Sequence, residues 1–269
     1  MQNKGILAAV VLSVLAALLV VVGATGPAAA ADAVATRRIG PGTQIVTAHR
    51  SCTANFLFRD ARHRVYLGYA ASCATRSRVT GPGTCTARSL PMGTRVRLVN
   101  RGHTLGYGTL RYSSLRAERR LGITDPATCA ANDFALVRLR GEVRRRASAS
   151  MPFWGGPTGL GALPPAGATV FGLTRVAGST RTVPRAGQVT ECTGTQATVN
   201  TPLPSIAAAR GGGFLDDTGR AVGVLTSSEH TGDNLVVSLA DVVAFARAHG
   251  VAGLHVVRGH DAFSGTAIL

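Results

Sequence analysis

Apolar positions along this chain come in short alternating runs broken by Gly, Pro and Asn, the pattern of successive β-strands in a sandwich or barrel. The clearest runs are 56–58, 65–69, 95–99, 106–112, 134–139, 169–173, 185–190 and 221–225. In TRVRLV, Val96 and Leu98 alternate with Arg95 and Arg97, so one side of that strand faces a core and the other is cationic and solvated. One segment has helical spacing. Ser238 precedes LADVVAFARAHG and can cap the Asp241 amide, Asp241 suits the first turn, Gly250 can close the helix, and Val242, Val243, Phe245 and Ala246 form its apolar face. MPFWGGPTGLGALPPAG (151–167) holds too much Gly and Pro for either element. It marks the connection between a lobe at 32–150 and a lobe at 168–250, with a tail at 251–269.

The amino-terminal order is MQNKG, an apolar run over 6–22 and then ATGPAAAADA, which is that of a secretory signal (1–31) cleaved after Ala31. An uncleaved anchor is the alternative, and would be the chain's one route to a membrane. No later run is long and apolar enough to span a bilayer. The expected location is therefore outside the cell or on the outer face of its envelope. With 269 residues, 45% of them apolar, the chain can bury a large core, which excludes overall disorder.

Charge divides the lobes. Residues 32–150 carry 21 Arg against 6 acids, whereas 151–269 carry 7 of each. Apart from Lys4, every Lys or Arg is Arg, an abundance that accords with compositional bias, but bias acts on the whole chain and does not account for the difference between halves. Arg59, Arg62 and Arg64, Arg95 and Arg97, Arg116, Arg119 and Arg120, and Arg144, Arg145 and Arg146 are candidate contacts for a polyanion, with a merely solvated face as the alternative for each cluster. No aromatic residues interleave with them as base stacking requires, so specific nucleic-acid recognition is not expected. The seven His are scattered and no HExxH or paired-Cys spacing occurs, so neither a metal nor a cofactor is expected.

Three segments resemble the trypsin-like (chymotrypsin-fold) serine proteases, particularly secreted bacterial ones. They are CTANFLF with VYLGYAASC (52–73), NDFALVRL (132–139) and PSIAAARGGGFLDDTGRAVGVLT (204–226), in the order base, acid, nucleophile. The resemblance runs from about Cys52 to Gly250 and implies an all-β double barrel with a C-terminal helix. It places Ser72 at the base position, Asp133 at the acid and, counting back from Phe214, Arg210 at the nucleophile; Ala208 stands where an oxyanion-hole Gly is usual. Ser72 cannot act as a base, and a permanently protonated Arg210 cannot be a nucleophile. The resemblance thus implies a pseudoprotease whose triad positions are vestigial. Such a protein would serve as a binding module for an acidic protein or anionic envelope polymer, with peptide capture in the cleft also open. The alternative is a trypsin-like endopeptidase or other hydrolase with relocated catalytic residues. Two arrangements are open for Asp133: pairing with Arg210 while Ser72 donates to it, or accepting backbone amides while Arg210 points to solvent. The resemblance also implies a Cys52–Cys73 disulfide. Elimination and position then give Cys85–Cys129, leaving Cys192 as a buried strand thiol or a link to a second chain.

Overall fold

The computed structural model describes residues 37–47, 50–76, 85, 87–175, 182–202, 206–228 and 232–265, so the signal-like segment 1–31 lies outside the described residues. Among these residues seven strands come from the first lobe: β1 (Gln44–Thr47), β2 (Arg50–Thr53), β3 (Leu57–Arg59), β4 (Val65–Tyr69), β5 (Arg95–Asn100), β6 (His103–Ser113) and β7 (Ala135–Arg138). With β14 (His255–Val256) they form an eight-stranded sheet in the order β14-β3-β4-β7-β6-β5-β1-β2. Strands β8 (Thr169–Arg175), β9 (Thr182–Cys192), β10 (Gln196–Asn200), β11 (Gly213–Leu215), β12 (Ala221–Ser228) and β13 (Asp233–Ser238) close into a barrel in the order β10-β13-β12-β11-β8-β9. Every expected run falls on a strand. β1, β2, β10, β13 and β14 were not legible as runs, because four to six half-polar residues, or two in β14, give alternation too little length to show.

Alternation decides what each strand buries. In β5, Val96 and Leu98 are fully buried while Arg95 and Arg97 are exposed. The first lobe packs Ile45, Leu67, Leu98, Leu110 and Val137 together, and the barrel packs Val170, Val189, Phe214, Val222 and Leu225. A third cluster joins the lobes through Phe58, Phe134, Trp154, Leu215 and Val237. Each such side chain contributes about 1.5–3 kcal/mol on burial. Trp154 is wholly buried, and its indole N–H reaches the Gly172 carbonyl at 2.8 Å, so its burial leaves no orphaned donor.

The C-terminal helix runs over Leu239–His249, with Ser238 Oγ accepting the Asp241 amide at 3.3 Å and Val242, Val243 and Ala246 buried. Phe245 is only half-buried and lies against His249. Three short helices were not expected: α1 (Ser114–Leu121), α2 (Pro126–Ala130) and α3 (Gly141–Arg145), the C-terminal helix being α4. α1 and α3 are Arg-rich with few apolar positions, so no stripe marks them. α2 did carry a start signal, since Asp125 caps the Thr128 amide at 2.7 Å and Pro126 occupies the first turn. Residues 151–167 make only the isolated bridges Met151 to Gly155 and Leu160 to Ala221. Beyond α4 the chain returns to the first lobe, where β14 pairs with β3, and then to the barrel, where the Phe263 ring lies 5.5 Å from that of Phe171.

Candidate functional site

Strand β4 delivers the chain to a 3-10 turn, Ala71–Ala74, where Cys73 is bonded to Cys52 of β2 and Ser72 is buried. Asp133 stands just before Phe134, whose ring is buried edge-on against Phe58. Arg210 follows a second 3-10 turn, Ala207–Ala209, in the other lobe. That turn is docked onto the first lobe: the Thr53 amide donates to the Arg210 carbonyl at 2.8 Å, Thr53 Oγ1 to the Ala208 carbonyl at 2.8 Å, and Asn55 Nδ2 to the Gly211 carbonyl at 3.1 Å. Gly211 has φ +91°, and a Cβ there would lie 2.5 Å from the Thr53 carbonyl oxygen and 2.8 Å from the Ala70 nitrogen. Only glycine permits this approach.

The three positions come together where the lobes meet. Asp133 Oδ1 accepts the Ser72 amide at 2.6 Å and Oδ2 accepts the Ser72 hydroxyl at 2.7 Å. Arg210 Nη1 donates to Ser72 Oγ at 3.4 Å, and among the described residues Arg210 forms no ion pair with Asp133. The arrangement is a relay from guanidinium to hydroxyl to carboxylate: the expected Ser72 donation and a backbone amide both reach Asp133, whereas Arg210 stops at Ser72 instead of pairing with the carboxylate. Burial raises the Asp133 carboxyl above its usual range, opposed by the two Ser72 hydrogen bonds and the Arg210 charge. The Ser72 carbonyl in turn accepts Arg50 Nη1 and Thr75 Oγ1, each at 3.0 Å, so the turn is held from several sides.

Acyl transfer by a triad needs a group that takes the nucleophile's proton and amides that hold the oxyanion. Ser72 has already given its hydrogen to Asp133, and Arg210 has no proton acceptor. The Arg210 amide donates to the Ala207 carbonyl at 3.3 Å, so this donor serves the chain's own backbone.

No protein-family model matches the chain, and no curated protein does. Solved structures do match. Protease A of Thermobifida fusca superposes on 82% of this chain and 100% of its own, with a TM-score of 0.50 at 15% identity. A Nocardiopsis protease covers 81% and 98% with a TM-score of 0.52, and a Glu endopeptidase 79% and 92% with 0.53, both at 15% identity. The chain has the chymotrypsin-like fold. At such identity the likeness carries the fold alone, and the chemistry of this chymotrypsin-like protein rests on its own residues.

Two arrays were missed at the sequence level. Ser150 Oγ lies 3.1 Å from His260 Nδ1, and His260 Nε2 lies 3.3 Å from Asp261 Oδ1, with Arg38 Nη1 also 3.3 Å from Nε2. These residues lie 110 positions apart in the chain and carry no motif. Ser150 Oγ also accepts the His260 and Asp261 amides, each at 3.0 Å, and is buried, so both lone pairs are engaged and it fastens the tail. The second array surrounds Glu118 on α1, which is fully buried with neither carboxylate oxygen hydrogen-bonded. Burial pushes its pKa up to about 8, the Asn132 side chain opposing and the Asp133 charge adding to the rise. The Cys85–Cys129 disulfide lies beside it, its sulfurs and a Glu118 oxygen all within 4.8 Å of one another.

The candidate arginines separate into groups. Arg64 pairs with Asp60 at 2.5 Å, Arg145 and Arg146 pair with Glu142, and Arg120 reaches the His249 carbonyl at 2.9 Å. Arg62, Arg95, Arg97, Arg116, Arg119 and Arg144 are exposed, and Arg59 is half-buried on β3. Cys192 is half-buried with a free thiol at the end of β9.

Proposed function

We propose that this chain is a pseudoprotease, a chymotrypsin-fold binding module that takes an acidic partner outside the cell or on the outer face of its envelope. The Ser72–Asp133–Arg210 relay carries the reading: the positions where this fold places a nucleophile and base hold a cation and a committed hydroxyl. The excess of 21 Arg over 6 acids in residues 32–150 supports an acidic partner, and the two disulfides suit an oxidising compartment.

The test is reaction of the mature protein with a fluorophosphonate serine-hydrolase probe, alongside a Ser72→His, Arg210→Ser double variant. The native protein is expected to stay unlabelled while the double variant gains label. The alternative, a hydrolase with relocated residues, would need a free nucleophile, whereas Ser150 of the Ser150–His260–Asp261 array is buried with both lone pairs taken by the His260 and Asp261 amides. Labelling of the native protein that disappears in Ser150→Ala would establish that reading and overturn the first.

A further inference from the structure

We infer that the outer face of β5, β6 and β7 is the surface that takes the acidic partner, and that the partner is a linear phosphate-bearing polymer recognised through its phosphates alone. This rests on the reading of the chain as a binding module for an acidic partner.

Strand register assembles this face from residues distant in sequence. Arg95 of β5 is opposite Thr109 of β6, which is opposite Arg138 of β7, while Arg97 is opposite Tyr107. Cross-strand partners project from one side of a sheet, so Arg95, Arg97, Tyr107 and Arg138 share a face. Arg140 lies two residues beyond Arg138, and Arg111 sits at the β6 bulge. Burial lowers the Arg138 pKa, and the charges of Arg140, Arg64 and Arg111 add to the fall, in keeping with the closeness that the register gives these cations. Arg64 is answered by Asp60. Among the described residues Arg95, Arg97, Arg111, Arg138 and Arg140 form no ion pair, although like charges at this spacing repel.

The surroundings narrow the occupant. Side chains two residues apart on a strand are about 6.5–7 Å apart, so Arg95 with Arg97 on β5, and Arg138 with Arg140 at the end of β7, form two rows of charge suited to a chain of repeating anions rather than to one small ligand. A protein interface would need an apolar centre, and a membrane-inserting face an apolar wedge. Among the described residues the exposed large hydrophobic ones are Tyr107, Leu121 and Phe153, of which only Tyr107 is on these strands. Its ring is already covered by the Arg95 guanidinium, 3.5 Å from the centroid, so it is closed to base stacking. What remains for recognition is a set of guanidinium forks, which fit phosphate oxygens.

The test is titration of the mature chain with inorganic polyphosphate at several salt concentrations. Three variants are compared with native: Arg95, Arg97, Arg138 and Arg140→Gln; Arg97 and Arg140→Gln, both exposed, in case the half-buried Arg138 is needed for folding; and a control, Arg62, Arg116, Arg119 and Arg144→Gln. The first is expected to lose at least about tenfold in affinity and about three from the slope of log affinity against log salt, the second about half that slope change, and the control less than one. Equal losses in face and control variants would overturn the location. Tighter binding of anionic vesicles, polyglutamate or single-stranded DNA than of polyphosphate would overturn the polymer class. Failure to bind polyphosphate while an acidic protein binds would sink this inference and leave the binding-module reading standing, whereas probe labelling of the native protein strikes that reading alone.

Discussion

Ser72 and Asp133 are joined twice, by amide to Oδ1 at 2.6 Å and by hydroxyl to Oδ2 at 2.7 Å. The second contact is made by a hydroxyl two atoms from the backbone, so the distance between turn and strand is fixed within a narrow range. A buried carboxylate stripped of such a donor is left with its desolvation penalty.

Ser72→Ala removes the hydroxyl and also frees Arg210 Nη1. The expected cost is about 1–3 kcal/mol in urea unfolding. An unchanged midpoint would mean that Arg210 closes onto Asp133 directly and replaces the lost bond.

Glu118 makes stability depend on pH. Its folded pKa of about 8 lies above the ordinary 4.5, so the folded chain holds this proton more tightly than the unfolded one. The associated stability is complete below about pH 4.5 and is lost as pH rises through 8. Thermal unfolding of the native protein should therefore move to lower temperature between pH 5 and pH 8, relative to Glu118→Gln, which removes the titration. Parallel profiles for the two proteins would refute the assignment. The groups facing the carboxyl are Asn132, Asp133 and Tyr112, with Arg120 acting on Tyr112.

Gly211→Ala forces a Cβ against the Thr53 carbonyl in a backbone conformation that alanine avoids. A loss of roughly 1–3 kcal/mol is expected. Amide exchange at Thr53 should quicken first, because its bond to the Arg210 carbonyl is the one displaced.

Ser150→Ala releases the His260 and Asp261 amides together. Their hydrogen exchange is expected to accelerate at least about tenfold, two hydrogen bonds at about 1 kcal/mol each being ample. Exchange unchanged at both amides would show that the tail is held elsewhere.

How much of this was legible in sequence depends on which interactions are local. The eight expected runs and α4 follow from periodicity and a Ser238 cap within a few residues. The positions of Ser72, Asp133 and Arg210 were legible because each sits beside a recognisable strand or turn. The relay itself was not, since whether Arg210 reaches Asp133 or stops at Ser72 depends on the distance between two lobes. The Ser150–His260–Asp261 array and the β5–β7 face were likewise invisible: one joins the end of the first lobe to the tail, and the other depends on register between strands some 40 residues apart.

The pairing of β14 with β3 has a consequence for proteolysis. The last strand of the first sheet is contributed by residues that follow the whole barrel, so the segment at 151–167 is not the only covalent route by which the lobes are associated in space. A single nick there would produce two polypeptides that stay together, each incomplete alone: the N-terminal piece would lack an edge strand that the C-terminal piece carries. Coexpressed as separate halves, they are expected to reconstitute one particle, and a gel-filtration profile with both at the native elution volume would demonstrate it.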